Sequence, residues 1–282
     1  MNINRKTKKE LNIWLKILLI MMCIILGTIL IALIFNPHEG DFINIRIASI
    51  LVKIIAIVIV IIFTKYIDKK ALTFLGLKDV KSNSKLLMIG CIITLVQFIF
   101  VITIGLVFNI TTCESINTEP SSVLIGTAIF FVHCIFVALS EEMLFRGYIF
   151  GNLLTKMSEK KALVISSIIF LSVHYSTMGD ILSYIDILLM GFIFAYVYVL
   201  SHSLYLSMGI HFLTDFLQYM FMVDIPQNPF YFIQFKLSHN IFIGTFNLGP
   251  EIELPFIISD ILILLCIFGY KRLKLNPKSQ RI

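Results

Sequence analysis

Three ionisable residues, Glu141, Glu142 and Arg146, interrupt an otherwise apolar stretch, and two later apolar stretches carry His174 and the pair His211 and Asp215. Inside a membrane helix each such group costs at least ~2.5–3.5 kcal/mol on insertion scales, so it needs a partner, a water-filled cavity or a function. Glu142 and Arg146 are four residues apart, share a helix face and can neutralise each other. Glu141 is turned about 100° from Glu142 and is expected to be free of that partner. His211 and Asp215 are again i,i+4 and point the same way. Two structural roles need no chemistry: the charged triplet as a buried ion-pair staple, and each histidine as a hydrogen-bonded packing residue. Two histidines, an Asp and a spare Glu together favour chemistry. A carboxylate and an imidazole meeting at one cavity can hold and deprotonate water. The second histidine and the Asp then have two possible roles: stabilising the oxyanion of a tetrahedral intermediate, or completing a zinc site of nitrogen and oxygen donors. No HExxH accompanies them, so spacing alone does not establish the metal.

The residues can meet only if their segments are brought side by side. The chain has 282 residues, 58% hydrophobic and 14% charged, with a mean hydropathy of +0.94, values outside those of a soluble domain. Runs of ~20 apolar residues, enough to cross ~30 Å of hydrocarbon, recur along it. Eight spans are expected, at Ile13–Phe35, Ile45–Thr64, Leu86–Phe108, Val123–Phe150, Ala162–Met178, Ile181–Leu200, Leu204–Met222 and Leu254–Tyr270. The expected fold class is all-α, a polytopic transmembrane helical bundle, because backbone groups in lipid must be satisfied within each segment. The expected organisation is N-terminal helices over 1–122, a four-helix core over 123–222, and an outer loop with a last helix and basic tail over 223–282. The first span follows a basic run, but it is too long for a secretory signal core and no small-x-small site follows it, so it is expected to stay in the membrane.

Depth is consistent with a shared site. The midpoint between Glu141 and His174 falls in the polar stretch 155–161, where a cytoplasmic hairpin would turn, which sets the two residues at one height on antiparallel helices. His211 lies seven residues, about 10 Å, above the inner end of its span, so the site is expected to be shallow and nearer the cytoplasm.

The net charge is +6, and its distribution is uneven. Segments 1–12, 65–85, 151–161 and 271–282 hold 18 Lys and Arg, whereas the loops at the opposite ends of the expected spans hold only Arg46 and Lys236. The positive-inside rule then places both termini in the cytoplasm. Anionic lipid and topology explain the excess charge without a nucleic-acid partner. The five cysteines lack CxxC spacing, and four lie in expected spans, which implies neither a disulfide framework nor a cysteine zinc site.

The ordered set Glu141-Glu142-x-x-x-Arg146, Phe170-x-x-x-His174 and His211-x-x-x-Asp215 resembles the CPBP (Abi) family of intramembrane proteases. That family includes the type II CAAX prenyl endoproteases and bacterial bacteriocin-processing and self-immunity proteins. The resemblance covers mainly residues 120–222. It implies a bacterial cell-membrane protein and hydrolysis of a membrane-associated or lipidated peptide at a site open to the cytosolic side. Glu141 and His174 would be the water-activating pair, His211 and Asp215 the oxyanion stabilisers or zinc ligands, and Glu142 with Arg146 the support. If a metal is bound, the same four residues, Glu141, His174, His211 and Asp215, are its candidate ligands. The prenyl-protease members carry Asn where this chain has Asp215, and an ionised Asp cannot donate to an oxyanion. It must be protonated, act through His211, or bind a metal.

His133 could line the same cavity, although a packed histidine is the plainer reading. Asp186 and Asp260 also lie in spans and are left out of the site. Two other function classes compete with the protease: a catalytically silent immunity or scaffold protein using the cavity to bind a peptide, and a small transporter. The absence of inverted repeats and of Gly/Pro-broken helices disfavours transport.

Overall fold

Several helix starts are set by short polar side chains that accept from otherwise unpaired backbone N–H groups. Asn12 Oδ1 accepts from Trp14 N at 2.9 Å, Asp41 Oδ1 from Asn44 N at 3.3 Å and Asp79 Oδ2 from Ser82 N at 2.9 Å. The computed structural model describes residues 11–36, 41–77, 79–174, 181–223, 230–237 and 253–274. These form eight helices: α1 (Ile13–Phe35), α2 (Phe42–Ile67), α3 (Val80–Val107), α4 (Pro120–Leu154), α5 (Glu159–Val173), α6 (Ile181–Ser201), α7 (Tyr205–Met220) and α8 (Glu253–Lys274). They correspond in order to the eight expected spans.

Among the described residues five helical stretches are long and apolar enough to cross a membrane: α1, α2, the stretch Leu72–Val107 that contains α3, α4 and α6. By contrast α5, with 15 residues, and α7, with 16, are shorter than the ~20 that a full crossing takes. Both ends therefore differ from expectation. The fifth span was expected to reach Met178, but α5 stops at Val173 and His174 caps it. The seventh was expected to reach Met222, but α7 stops at Met220, where the chain turns extended.

A small sheet was not expected. Strands β1 (Thr111–Ile116), β2 (Phe221–Val223) and β3 (Ile233–Leu237) pair in the order β1-β3-β2, antiparallel for β1/β3 and parallel for β2/β3. Its strands come from connections too short and irregular in pattern to show a period-2 signal. Part of the expected outer aromatic loop is thus β3. Residues 238–252 of that loop, the basic run Arg5–Lys9, His38, His239, the 175–178 end of the fifth expected span and the tail beyond Lys274 lie outside the described residues.

Helix α7 is the hub of the described bundle, packing along α3 and α4, while α5 packs on α6, α6 on α8 and α2 on α4. Close approach of α3 and α7 requires glycine. A Cβ at Gly209 would meet the Leu87 carbonyl oxygen, and one at Gly90 would meet the Leu206 carbonyl oxygen, so neither position has room for a side chain. Directly after α2, Asp68 ties three helices together. It accepts from Lys16 Nζ of α1 and, at 3.2 Å, from Asn152 Nδ2 of α4. The intramembrane Lys16 is therefore a structural tie.

Candidate active site

Helix α4 changes pitch where its charges begin. It is α-helical through Glu142 and π-helical over Met143–Phe150, an irregularity that often accompanies functional side chains. All eight residues of that wider stretch are buried, Arg146 among them. Arg146 Nη1 donates to Glu142 Oε1 at 3.0 Å, with side-chain exposures of 2% and 0%, so the pair expected from i,i+4 spacing is present and dry. The guanidinium lies over the rings of Phe170 and Phe194, 4.2 and 4.6 Å from their centroids. The other face of this aromatic wall serves α7, because Phe194 stacks on the His211 ring at 5.0 Å.

Glu142 also holds His211, which spacing alone did not indicate. His211 Nδ1 lies 3.0 Å from Glu142 Oε1, and a carboxylate only accepts, so Nδ1 carries the hydrogen. The same reasoning fixes His174, whose Nδ1 lies 2.8 Å from the Phe170 carbonyl oxygen. Both imidazoles therefore present Nε2 to the cavity. Each Nε2 lies 3.7 Å from Glu141 Oε2, a buried oxygen with no hydrogen-bond partner. Asp215 Oδ2 lies 3.6 Å from His211 Nε2. The four residues singled out by type and spacing thus converge, at separations of 3.6–3.7 Å that are longer than direct hydrogen bonds.

One expectation needs correction. Glu141 is not unpartnered: Lys53 Nζ of α2 donates to Glu141 Oε1 at 2.8 Å. Helical geometry does keep Glu141 away from Arg146, but a cation from a different helix takes one of its oxygens. Only Oε2 faces the histidines. The same rule that singled out Glu141 would have singled out Lys53, a cation deep within the apolar span Ile45–Thr64.

The group lines a cavity of about 270 Å³ between α2, α4, α5, α6 and α7. Arg46, counted among the charges between spans, lies within α2 and lines this cavity, as do Ser49, His133 and Asp186. His133 is also packed, with Nε2 2.9 Å from Ser49 Oγ. Asp260 is fully buried and accepts from Gln97 Nε2 at 2.7 Å, outside the converging group. His174 ends a 15-residue helix, about 22 Å from the polar turn before α5.

Zinc was one role open to these side chains. Among the described residues no group of three or more His, Cys, Asp or Glu side chains is arranged to hold a metal ion. The Lys53 ammonium against Glu141 would also oppose a divalent cation there. With Lys53 on Oε1 of Glu141, the described side chains as arranged do not form a set of metal ligands.

A mainly helical bundle, with helices long and apolar enough to cross a membrane, encloses a carboxylate, two imidazoles and a second acid, which defines the class: a polytopic membrane protein with a buried cluster of titratable side chains. Comparison with known proteins points the same way. Residues 120–217, which contain all six singled-out residues, match the family described as type II CAAX prenyl endopeptidase Rce1-like, consistent with the CPBP resemblance. The chain is also 40% identical over 77 residues to the UPF0177 protein YxdF of Lactococcus lactis subsp. lactis (strain IL1403). That match covers 27% of this chain and 40% of the relative's length. No solved structure matches the chain.

Proposed function

We propose that the protein is an intramembrane endopeptidase that hydrolyses a peptide bond of a membrane-associated or lipidated peptide with water activated by Glu141. The observation that carries this reading is the position of Glu141 Oε2, 3.7 Å from both imidazole Nε2 atoms inside a cavity. Water held in the cavity beside Oε2 and His174 Nε2 attacks the carbonyl carbon and gives its proton to Glu141. His211, as the imidazolium balanced by Glu142 on Nδ1, donates from Nε2 to the developing oxyanion. Asp215 acts through His211, which removes the need for it to donate. Glu141 then delivers its proton to the leaving amine as the C–N bond breaks. Lys53 holds Oε1 and so leaves Oε2 to the water. The charge asymmetry supports cytoplasmic termini.

Peptides extracted from membranes of cells carrying the native chain or Glu141→Ala test the reading. A cleavage product confined to the native chain is expected and would identify the substrate. Identical peptide sets would favour a silent scaffold that uses the same cavity to bind a peptide.

Asp215→Asn separates the metal-free route from a zinc site. The metal-free route predicts active protein without stoichiometric zinc and a mild effect of Asn, which keeps the volume and can donate to the oxyanion itself. About one zinc per native chain, lost in the variant together with activity, would establish the metal alternative.

A further inference from the structure

Among the described residues Arg46 is a cation without a counter-ion. None of the ion pairs among the described residues includes it. Its Nη1 donates to Tyr219 Oη at 3.1 Å, and its guanidinium carbon lies 4.8 and 4.6 Å from the Phe42 and Tyr219 ring centroids. Its Nε is buried with no hydrogen-bond partner. His133 packs on the same Tyr219 ring at 5.6 Å, and its Nδ1 is likewise buried and unpartnered while Nε2 is taken by Ser49. Arg46, His133 and Tyr219 all line the cavity that holds Glu141.

We propose that these three side chains form a carboxylate-binding subsite that anchors an anionic group of the peptide substrate. Ring contacts only partly offset an unpaired cation inside a bundle, so the site is complete when an anion enters. With Nη1 committed to Tyr219, the Nε–Nη2 edge remains, a planar two-donor fork that matches a carboxylate. Three helices agree on where this anchor sits. Arg46 is seven residues from Lys53 on α2, His133 eight from Glu141 on α4 and Tyr219 eight from His211 on α7, each about 10–12 Å along its helix. The subsite therefore fixes the distance between an anionic group and the bond to be cut. The inference rests on the cavity being a peptide site, but binding can be measured without hydrolysis.

The probe is acetyl-tetraleucine with a free C-terminal carboxylate, compared with its amide and with an amide whose last residue is Glu. Binding is measured by calorimetry to full-length Glu141→Gln protein in detergent, and hydrolysis is followed separately on the native chain. A free acid bound about tenfold or more tighter than the plain amide is expected, with the preference lost in Arg46→Met and partly kept in Arg46→Lys. Arg46→Gln replaces the Met variant if that fails to fold. Preference for the Glu-containing amide over the free acid assigns the anchor to a side-chain carboxylate instead of the chain terminus, and still supports it. Equal binding of acids and plain amide, a preference that survives loss of Arg46, or no binding at millimolar peptide overturns the subsite. Displacement of the acid by phosphatidylglycerol micelles with the same Arg46 dependence overturns the peptide as occupant and assigns the anion to lipid. Preference without hydrolysis by the native chain would retain the subsite and leave the protease reading to be decided by the membrane-peptide comparison.

Discussion

Glu141→Gln is expected to abolish peptide cleavage while leaving the protein folded. The amide fills the volume of the carboxyl but cannot take a proton from water, and general-base contributions of this kind are worth ~10²–10⁴ in rate. Loss of the carboxylate also strips Lys53 of its counter-ion. The structural penalty should be small, because the Lys53 side chain is 24% exposed and its ammonium can reach cavity water, as flexible lysines do. Detergent-solubilised yield and thermal midpoint should stay near native values.

Glu142→Gln should fail in the opposite order. Arg146 is 2% exposed and buried between aromatic rings, so removing the negative charge leaves a cation that water cannot reach. Breaking a dry pair in this way costs about 3–5 kcal/mol. The same oxygen orients His211, so the protein that survives should also have a misplaced imidazole. Low monodisperse yield and a depressed thermal midpoint are expected first, with reduced cleavage per folded molecule beneath them. A Glu142→Gln protein of native stability would mean that the Arg146 charge is compensated elsewhere.

The sequence signals differed in reach. Helix number and order were readable because hydrocarbon demands long apolar runs, and each run became a helix of roughly the expected extent. Glu142 with Arg146, and His211 with Asp215, were readable because i,i+4 geometry is local. What spacing could not supply was contact between helices. The Lys53 bond to Glu141, the Glu142 bond to His211 and the Phe194 wall between Arg146 and His211 all join elements distant in sequence. Strand pairing of Thr111–Ile116 with Ile233–Leu237 was hidden for the same reason, since neither segment alone alternates clearly. Lys53 differs from these: its type and position marked it, and only its partner required the fold.

The central claim is that Glu141 activates the water. The most direct test is cleavage per folded molecule by purified native and Glu141→Gln protein on the peptide that the membrane comparison identifies. The account predicts turnover by the native chain and a loss of at least about a hundredfold in the variant at unchanged folded fraction. Near-native turnover by folded Glu141→Gln would contradict it and remove Glu141 from the role of base.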